Sequence, residues 1–84
     1  MEIEQQIKDG RCVVGLKGRL DALTAVELEQ NLSKIIENGN LDIVLDLTNL
    51  EYISSAGLRI FLLIAKKLKT LKGDLCLAGL GGNI

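Results

Sequence analysis

The chain has 84 residues, a formal net charge of −1, a charged fraction of 25% and no histidine. This length allows one domain with one small core, and the charged fraction is ordinary for a globular chain and too high for a membrane protein. The lack of histidine removes the Ser-His-Asp and Cys-His nucleophiles and most zinc sites, and no acidic pair is spaced for carboxylate chemistry, so we expect neither an enzyme nor a cofactor or metal site.

The first 21 residues predict a β-hairpin and a connection. Met1 to Gln6 alternates weakly, as a strand does, and Asp9-Gly10 is typical of a tight turn. Cys12 to Lys17 is the second predicted strand of the hairpin. The next four residues, Gly-Arg-Leu-Asp at 18–21, interrupt the pattern and predict the end of that strand.

The first predicted helix begins at a capping box. Thr24 is the expected N-cap, and Glu27 is expected to reach back to the Thr24 amide. Asn38-Gly39 ends the helix, since both residues favour a helix C-terminus. Between these limits, apolar residues recur at helical spacing and predict the buried stripe, namely Leu28, Leu32, Ile35 and Ile36.

A strand, a helix and a strand follow. Leu41 to Leu47 is the third strand, and its continuous apolar run suits a strand covered on both faces. Residues 48–53 are expected to form a connecting turn, and the second helix should close near Lys72-Gly73. Asp74 to Ala78 is the last strand. The apolar stripe of the second helix that is expected to be buried consists of Leu58, Phe61, Leu62, Ala65 and Leu68.

This order of elements predicts an α/β fold. Right-handed crossovers make the later strands parallel, which gives a mixed, mostly parallel four-stranded sheet with an N-terminal hairpin and helices packed on it. The glycine-rich end, Gly79 to Ile84, adds no further helix, so residues 1–84 are expected to be a single domain truncated at the C-terminus. We also expect an exposed apolar patch, and with it self-association or a partner that covers the patch.

Cysteine and lysine usage bears on location and partners. Cys12 and Cys76 lie in apolar runs and are expected to be buried free thiols in a reducing compartment, the cytoplasm. A solvated helix face is favoured over a phosphate-binding patch for the four clustered lysines, because aromatic residues that would stack on bases are nearly absent. Neither nucleic acid nor a membrane is an expected partner. The lysines are Lys66, Lys67, Lys69 and Lys72.

The start of the second helix has two interpretations. Ser54 and Ser55 can both be capping serines, with Ser54 at the N-cap and Ser55 as the first helical residue. Gly57 is unusual under that interpretation, because glycine costs roughly 1 kcal/mol against alanine within a helix. With Ala56 it leaves the helix start open to another backbone or a bulky group. A first-turn serine also suits phosphorylation, because free N–H groups and the helix dipole favour an anion there.

Two motifs resemble those of a known family. Residues 45–59, LDLTNLEYISSAGLR, resemble the signature of the STAS domain, in particular of the bacterial anti-sigma-factor antagonists. Residues 18–21 followed by Thr24-Ala25 match the second common motif, and the order of elements agrees from 1 to 78. The resemblance implies partner switching, in which the unphosphorylated antagonist binds an anti-sigma factor that is also a serine kinase. Phosphorylation of a serine then dissociates the complex.

The resemblance also implies site residues. In the family pattern the modified serine follows an aspartate and lies two residues before a glycine, which is Ser55 here. Ser54 stands in the aspartate position and is the second choice. Family members continue into a final helix, which Asn83-Ile84 would only begin. The implied partner-binding residues are Asp21, Thr24, Ser54, Ser55, Ala56, Gly57, Leu58 and Arg59.

Some alternatives remain open. A constitutive STAS scaffold subunit and a small-ligand or nucleotide-binding STAS module are the other candidate functions. Asp21 is either a turn residue or part of the site. Asp46 is expected to accept hydrogen bonds from nearby backbone amides rather than to bind a cation. The Tyr52 ring should pack on the sheet, and Arg59 should be exposed, either solvated or paired with a partner carboxylate or phosphate.

Overall fold

A computed structural model describes residues 1–79 of the chain. Its elements form one four-stranded sheet in which β1 is antiparallel to β2 while β2, β3 and β4 are parallel. The predicted α/β fold with a mixed sheet and an N-terminal hairpin is confirmed. Within residues 1–79, no helix is long and apolar enough to cross a membrane. The elements are β1 (Glu2–Lys8), β2 (Arg11–Leu20), α1 (Ala22–Glu37), β3 (Asp42–Ile53), α2 (Ser55–Thr70) and β4 (Asp74–Ala78).

The hairpin follows from its turn residues. Asp9 and Gly10 have φ angles of 53° and 78°, and they connect strands in which Lys8 is paired with Arg11. A two-residue turn with positive φ at both positions matches the right-handed twist of the strands, which is why Asp-Gly favours it. The predicted turn is confirmed, and β1 extends two residues beyond the predicted Gln6.

The core lies between one face of the sheet and the two helices. The predicted α1 stripe is buried, and so are alternate residues of β2 and β3. Ile43 and Leu45 are buried, whereas Val44 between them is only half-buried. The prediction that β3 is covered on both faces is therefore wrong for the described part of the chain. With the strands in the order β1-β2-β3-β4, right-handed crossovers place both helices on the same side of the sheet.

β2 and β3 are also longer than predicted. β2 continues through Leu20 and β3 through Ile53, with these two residues paired across the parallel ladder. Residues 18–20 therefore belong to β2, so only Asp21 of the predicted break lies outside the strand, and residues 48–53 are not a turn. The ladder shifts register after Gly15 and again after Gly18. Such irregularities disturb the period-two alternation on which the sequence interpretation depended.

The buried stripe of α2 is rotated relative to the prediction. Phe61 and Leu68 are buried as expected, but Leu58 and Leu62 are 51% and 66% exposed. The second helix ends at Thr70, before the predicted Lys72-Gly73. The buried residues of α2 are Gly57, Ile60, Phe61, Ile64 and Leu68.

The two cysteines differ in environment. Cys12 is buried on the helix-covered face, and burial raises the pKa of its thiol. Cys76 is exposed, so its predicted burial is wrong. β4 is an edge strand, and Cys76 points away from the helices because its neighbour Leu75 packs against the core.

The described residues include only part of what was predicted for the glycine-rich C-terminal end and the exposed apolar patch. The predicted absence of a final helix concerns residues 80–84, which lie outside the described residues. Large apolar side chains are exposed in the second half of α2, at the residue that follows this helix and on β4, and self-association remains a prediction. These side chains are Leu63, Leu71 and Leu77.

Candidate functional site

Both helices begin at the same edge of the sheet. Leu20 and Ile53, the last residues of β2 and β3, are paired, and the Ser54 N–H donates to the Leu20 carbonyl oxygen at 2.8 Å. Asp21 and Ser54 therefore each follow a residue of the last β2–β3 pair and lie next to each other. The structure thus brings together the two motifs that the sequence separates by about 30 residues.

The N-terminus of α1 is closed by a capping box built on Asp21. One Asp21 carboxylate oxygen accepts from the N–H groups of Leu23 and Thr24 at 3.1 and 3.0 Å. The Thr24 hydroxyl accepts from the Asp21 N–H at 2.8 Å and donates to the Arg19 carbonyl oxygen at 2.8 Å. The predicted box with Thr24 at the N-cap and Glu27 reaching back is wrong. Because β2 runs to Leu20, the helix begins three residues earlier and Thr24 becomes its third residue.

This network keeps Asp21 charged. The Thr24 N–H lowers the pKa of the Asp21 carboxyl, with smaller contributions from the Thr24 hydroxyl, the Leu23 N–H and the Arg19 charge. A carboxylate at this position also interacts favourably with the positive end of the helix dipole. Asp21 is therefore engaged as a helix cap, and it lies beside the serine-containing motif, residues 45–59.

The N-terminus of α2 is capped less completely. Ser54 has the extended backbone of an N-cap, and its hydroxyl oxygen accepts from the Gly57 N–H at 3.2 Å. Ser54 is half-buried, whereas Ser55, the first helical residue, is exposed. Among the hydrogen bonds of residues 1–79, none involves the Ser55 hydroxyl. The predicted positions of the two serines are confirmed, and only Ser55 presents a free hydroxyl to solvent.

Gly57 has an internal packing role. It is buried, and a Cβ built on it would lie 2.7 Å from Leu20 Cγ and 3.2 Å from Ile53 Cγ1. Glycine therefore lets the first turn of α2 lie directly on the ends of β2 and β3. The expectation that Gly57 leaves room for an external group is wrong, because Leu20 already occupies that space. Ala56 is half-buried against the core.

Exposed apolar residues surround the two helix starts. On α2, Leu58 is 51% exposed and Arg59 is exposed, and on α1, Leu23 and Val26 are 84% and 56% exposed. The sequence interpretation did not include Leu23 or Val26. Their exposure depends on how α1 is rotated on the sheet, although their absence from the predicted buried stripe was a usable signal.

A cation–π pair lies just before the serines. The Arg19 guanidinium carbon lies 4.3 Å from the centre of the Tyr52 ring, and these two residues are paired across β2 and β3. The Tyr52 ring therefore packs against an arginine side chain, not against the sheet alone as expected. No local signal could have revealed the pair, since the register of the two strands creates it.

Asp46 is not brought into the site. Its carboxylate accepts from the Thr48 hydroxyl at 2.6 Å and the Thr48 N–H at 3.0 Å, and these bonds lower the pKa of the Asp46 carboxyl. The prediction that a backbone amide holds this acid is confirmed. A groove of about 230 Å³ near Asp46 does not include the serines. Its lining is Glu2, Glu4, Gly15, Leu16, Lys17, Asp46 and Asn49.

Comparison with known proteins identifies relatives over the whole chain. The sequence profile of the STAS domain matches residues 2–84. The chain is 40% identical over its full length to a putative anti-sigma factor antagonist, BtrV, from Bordetella bronchiseptica, and covers 72% of that protein. It is 32% identical, again over its full length, to the anti-sigma-B factor antagonist of Staphylococcus aureus, of which it covers 78%.

The fold is also similar to that of SpoIIAA, an anti-sigma factor antagonist solved in two states. The unphosphorylated form superposes with a TM-score of 0.82 at 20% identity, covering 95% of this chain and 74% of that one. The phosphorylated form superposes with a TM-score of 0.81 at 19% identity, covering 96% of this chain and 75% of that one. At these identities the likeness concerns the fold.

Proposed function

Because this chain belongs to the STAS domain family, we propose that it is an anti-sigma factor antagonist whose binding to an anti-sigma serine kinase is ended by phosphorylation of Ser55. The observation that carries the proposal is the free, exposed hydroxyl of Ser55 at the start of α2. The names of the two relatives support the class of partner, an anti-sigma factor.

The geometry favours Ser55 over Ser54 as the phosphoacceptor. The Ser54 oxygen accepts the Gly57 N–H and the residue is half-buried, so a phosphate there would disrupt the cap. Ser55 is exposed, and a kinase reaches its hydroxyl without unwinding the helix. A phosphate on the first helical residue also lies where the helix dipole stabilises an anion.

The proposed switch acts on the surface rather than on the fold. A phosphate adds a charge of about −1.5 to −2, which repels an acidic partner and is costly to desolvate against an apolar one. We expect the helix beneath it to keep its hydrogen bonds, because among residues 1–79 the Ser55 hydroxyl takes part in none that a phosphate would displace. SpoIIAA supports this view, since its two forms resemble this chain almost equally.

The proposed partner surface surrounds Ser55. Asp21 and Thr24 hold the start of α1 in place, and Ser54, Ala56 and Gly57 do the same for α2. These five residues therefore shape the surface more than they present side chains to the partner. Ser55, Leu58 and Arg59 are the exposed members of the implied partner-binding set.

The test is a kinase assay with mapping of the product. The purified chain is incubated with ATP and each anti-sigma kinase encoded in the same genome, and the modified residue is located by mass spectrometry. We expect one phosphate on Ser55, retained in Ser54→Ala and absent in Ser55→Ala. Modification at Ser54 would contradict the assignment, and tight binding without any modification would instead favour a constitutive scaffold.

A further inference from the structure

The face of the sheet that points away from the helices carries a groove. Both helices pack on the opposite side, and Val13 and Val44 on this face are only half-buried. Two adjoining hollows of about 230 and 80 Å³ share three residues, which are neighbours across β1, β2 and β3. We call this the Gly15 groove, with Gly15 as its floor and Glu4 and Asp46 as its walls.

Gly15 is a glycine that the fold does not require. Its φ angle is not positive, so the register shift that follows it needs no glycine, and a Cβ built on it would meet only the Glu4 carbonyl oxygen, at 4.0 Å. Each other glycine of residues 1–79 has a positive φ angle or a Cβ position less than 3.0 Å from another atom. A glycine within a strand costs stability, because it loses more backbone freedom on folding and adds no packing. The bare floor of the groove therefore has its reason outside the fold.

The walls of the groove are two carboxylates that form no salt bridge within residues 1–79. Glu4 and Asp46 both pair with the floor residue in the ladder, which places their Cα atoms roughly 10 Å apart. Both hydrogen bonds from Thr48 reach Asp46 Oδ1, so among residues 1–79 the second carboxylate oxygen has no partner. Lys17, at one end of the groove, pairs instead with Glu2 at 3.9 Å. The middle of the groove is therefore acidic.

We propose that the Gly15 groove binds an arginine side chain presented by an extended segment of another protein. The guanidinium group is planar and carries five donors, so one arginine can bridge carboxylates on its two sides. Because Gly15 has no side chain, the space between Glu4 and Asp46 is free for this group. The groove is open along the face of the sheet, which suits an extended backbone laid across the strands.

This surface is separate from the candidate phosphorylation site. The lining of the groove does not include Ser55, and α2 packs on the other side of the sheet. The chain can therefore hold a basic protein segment and the anti-sigma factor at the same time. The inference does not depend on the proposed function, since no residue of the groove takes part in the proposed switch.

The test is an NMR titration of the isotope-labelled chain with the capped peptide Thr-Arg-Thr-Arg-Thr. Alternate residues of an extended peptide point the same way, so both arginines can face the sheet. We expect the amide signals of Glu4, Gly15 and Asp46 to shift, and we expect no shift when citrulline, which is neutral, replaces arginine. No binding of the arginine peptide would overturn the proposal. Shifts in the same signals on raising the protein concentration without peptide would mean that a second copy of this chain occupies the groove.

Two variants with matched controls locate the binding site. Gly15→Thr should weaken the peptide about tenfold, because the new side chain fills the floor, whereas Gln5→Thr on the other face of β1 should not. Glu4→Gln should weaken it about fivefold through loss of one ion pair, with the exposed Glu29→Gln on α1 as control. Equal affinity in Gly15→Thr and wild type would show that the peptide follows general surface charge, which overturns the groove as a site.

Two further measurements separate this inference from a structural role and from the proposed function. The melting temperature of Gly15→Thr should equal or exceed that of wild type, since threonine favours strands. A clearly lower value would show that the fold needs this glycine, which removes the basis of the inference. Gly15→Thr should also bind the anti-sigma kinase like wild type. Loss of that binding would make the groove part of the kinase interface and overturn it as a separate surface, whereas failure of every kinase to bind wild type would refute the proposed function alone.

Discussion

The two helices begin side by side, yet their first turns are built differently. At α1, the Asp21 carboxylate accepts two N–H groups and the Thr24 hydroxyl accepts the Asp21 N–H, so the turn is closed and charged. At α2, one neutral hydroxyl accepts one N–H at 3.2 Å, and the next residue is an exposed serine. The first turn of α1 is thus closed by its own side chains, whereas that of α2 leaves the hydroxyl of Ser55 exposed.

Packing beneath α2 compensates for its weaker cap. Gly57 brings the helix against Leu20 and Ile53, so the first turn is held from below rather than by bonds at its end. We therefore expect the proposed modification of Ser55 to leave the helix in place. This comparison predicts different effects on stability and binding for three kinds of substitution: at the glycine packed under α2, at the exposed serine, and at the two helix caps.

The largest effect on stability is expected beneath α2. Gly57→Val places a branched side chain where a single Cβ would already lie 2.7 Å from Leu20, which is fully buried. We expect the free energy of unfolding to fall by roughly 3 kcal/mol, at the upper end for overpacked sites. Urea denaturation measures it, with the exposed Leu58→Val as control. Wild-type stability in Gly57→Val would show that the first turn of α2 does not depend on this contact.

The next effect is on binding at Ser55. Ser55→Asp should weaken binding to the anti-sigma kinase by about 2 kcal/mol, about thirtyfold, because it introduces an uncompensated charge at the interface. The same change should slightly stabilise α2 alone, since an acid in the first turn interacts favourably with the dipole. Titration calorimetry and thermal melts separate the two results. Full affinity in Ser55→Asp together with lost affinity in Ser54→Asp would reverse the roles of the serines.

The caps themselves provide the direct comparison. Ser54→Ala should lower the free energy of unfolding by about 1 kcal/mol, the usual loss for a serine N-cap. Asp21→Ala should lower it further, because it removes the acceptor of two N–H groups instead of one. Both variants are compared in urea at neutral pH, with Glu51→Ala, an exposed acid outside any helix cap, as control for loss of charge. Equal losses would mean that the two helix starts are equally capped.

The smallest effect is expected from acid. Interactions of the charged form lower the pKa of Asp21 below its ordinary value of 3.8, so its cap contributes stability above that value. The contribution is lost as the pH falls from the ordinary value through the lowered one, where the carboxylate is protonated in the folded chain. Ser54 does not titrate, so the α2 cap is unaffected.

Urea denaturation between pH 6 and about pH 2 measures this loss. Asp21→Asn should reduce the acid sensitivity without removing it, because the pKa of Asp46 is lowered as well by Thr48. An unchanged pH profile in Asp21→Asn would mean that Asp21 does not stabilise the folded chain through its charge.

Features that depend on near neighbours in the chain were predictable. The Asp9-Gly10 turn, the α1 stripe and Ser54 as an N-cap all follow from residues within about four positions of one another. The determinants of these features lie within a short sequence window wherever the ends and the rotation of the element are not shifted by its partners.

The tertiary structure alone decided the features that involve distant residues. Pairing with β3 extends β2 to Leu20, and this shift moves the cap of α1 from Thr24 to Asp21. Leu20 also explains Gly57, since the contact joins residues 37 positions apart. The rotation of α2 on the sheet exposes its outer leucines, which helical spacing alone assigned to the core. Strand ends and burial depend on which surfaces meet, and a sequence window does not contain the partner surface.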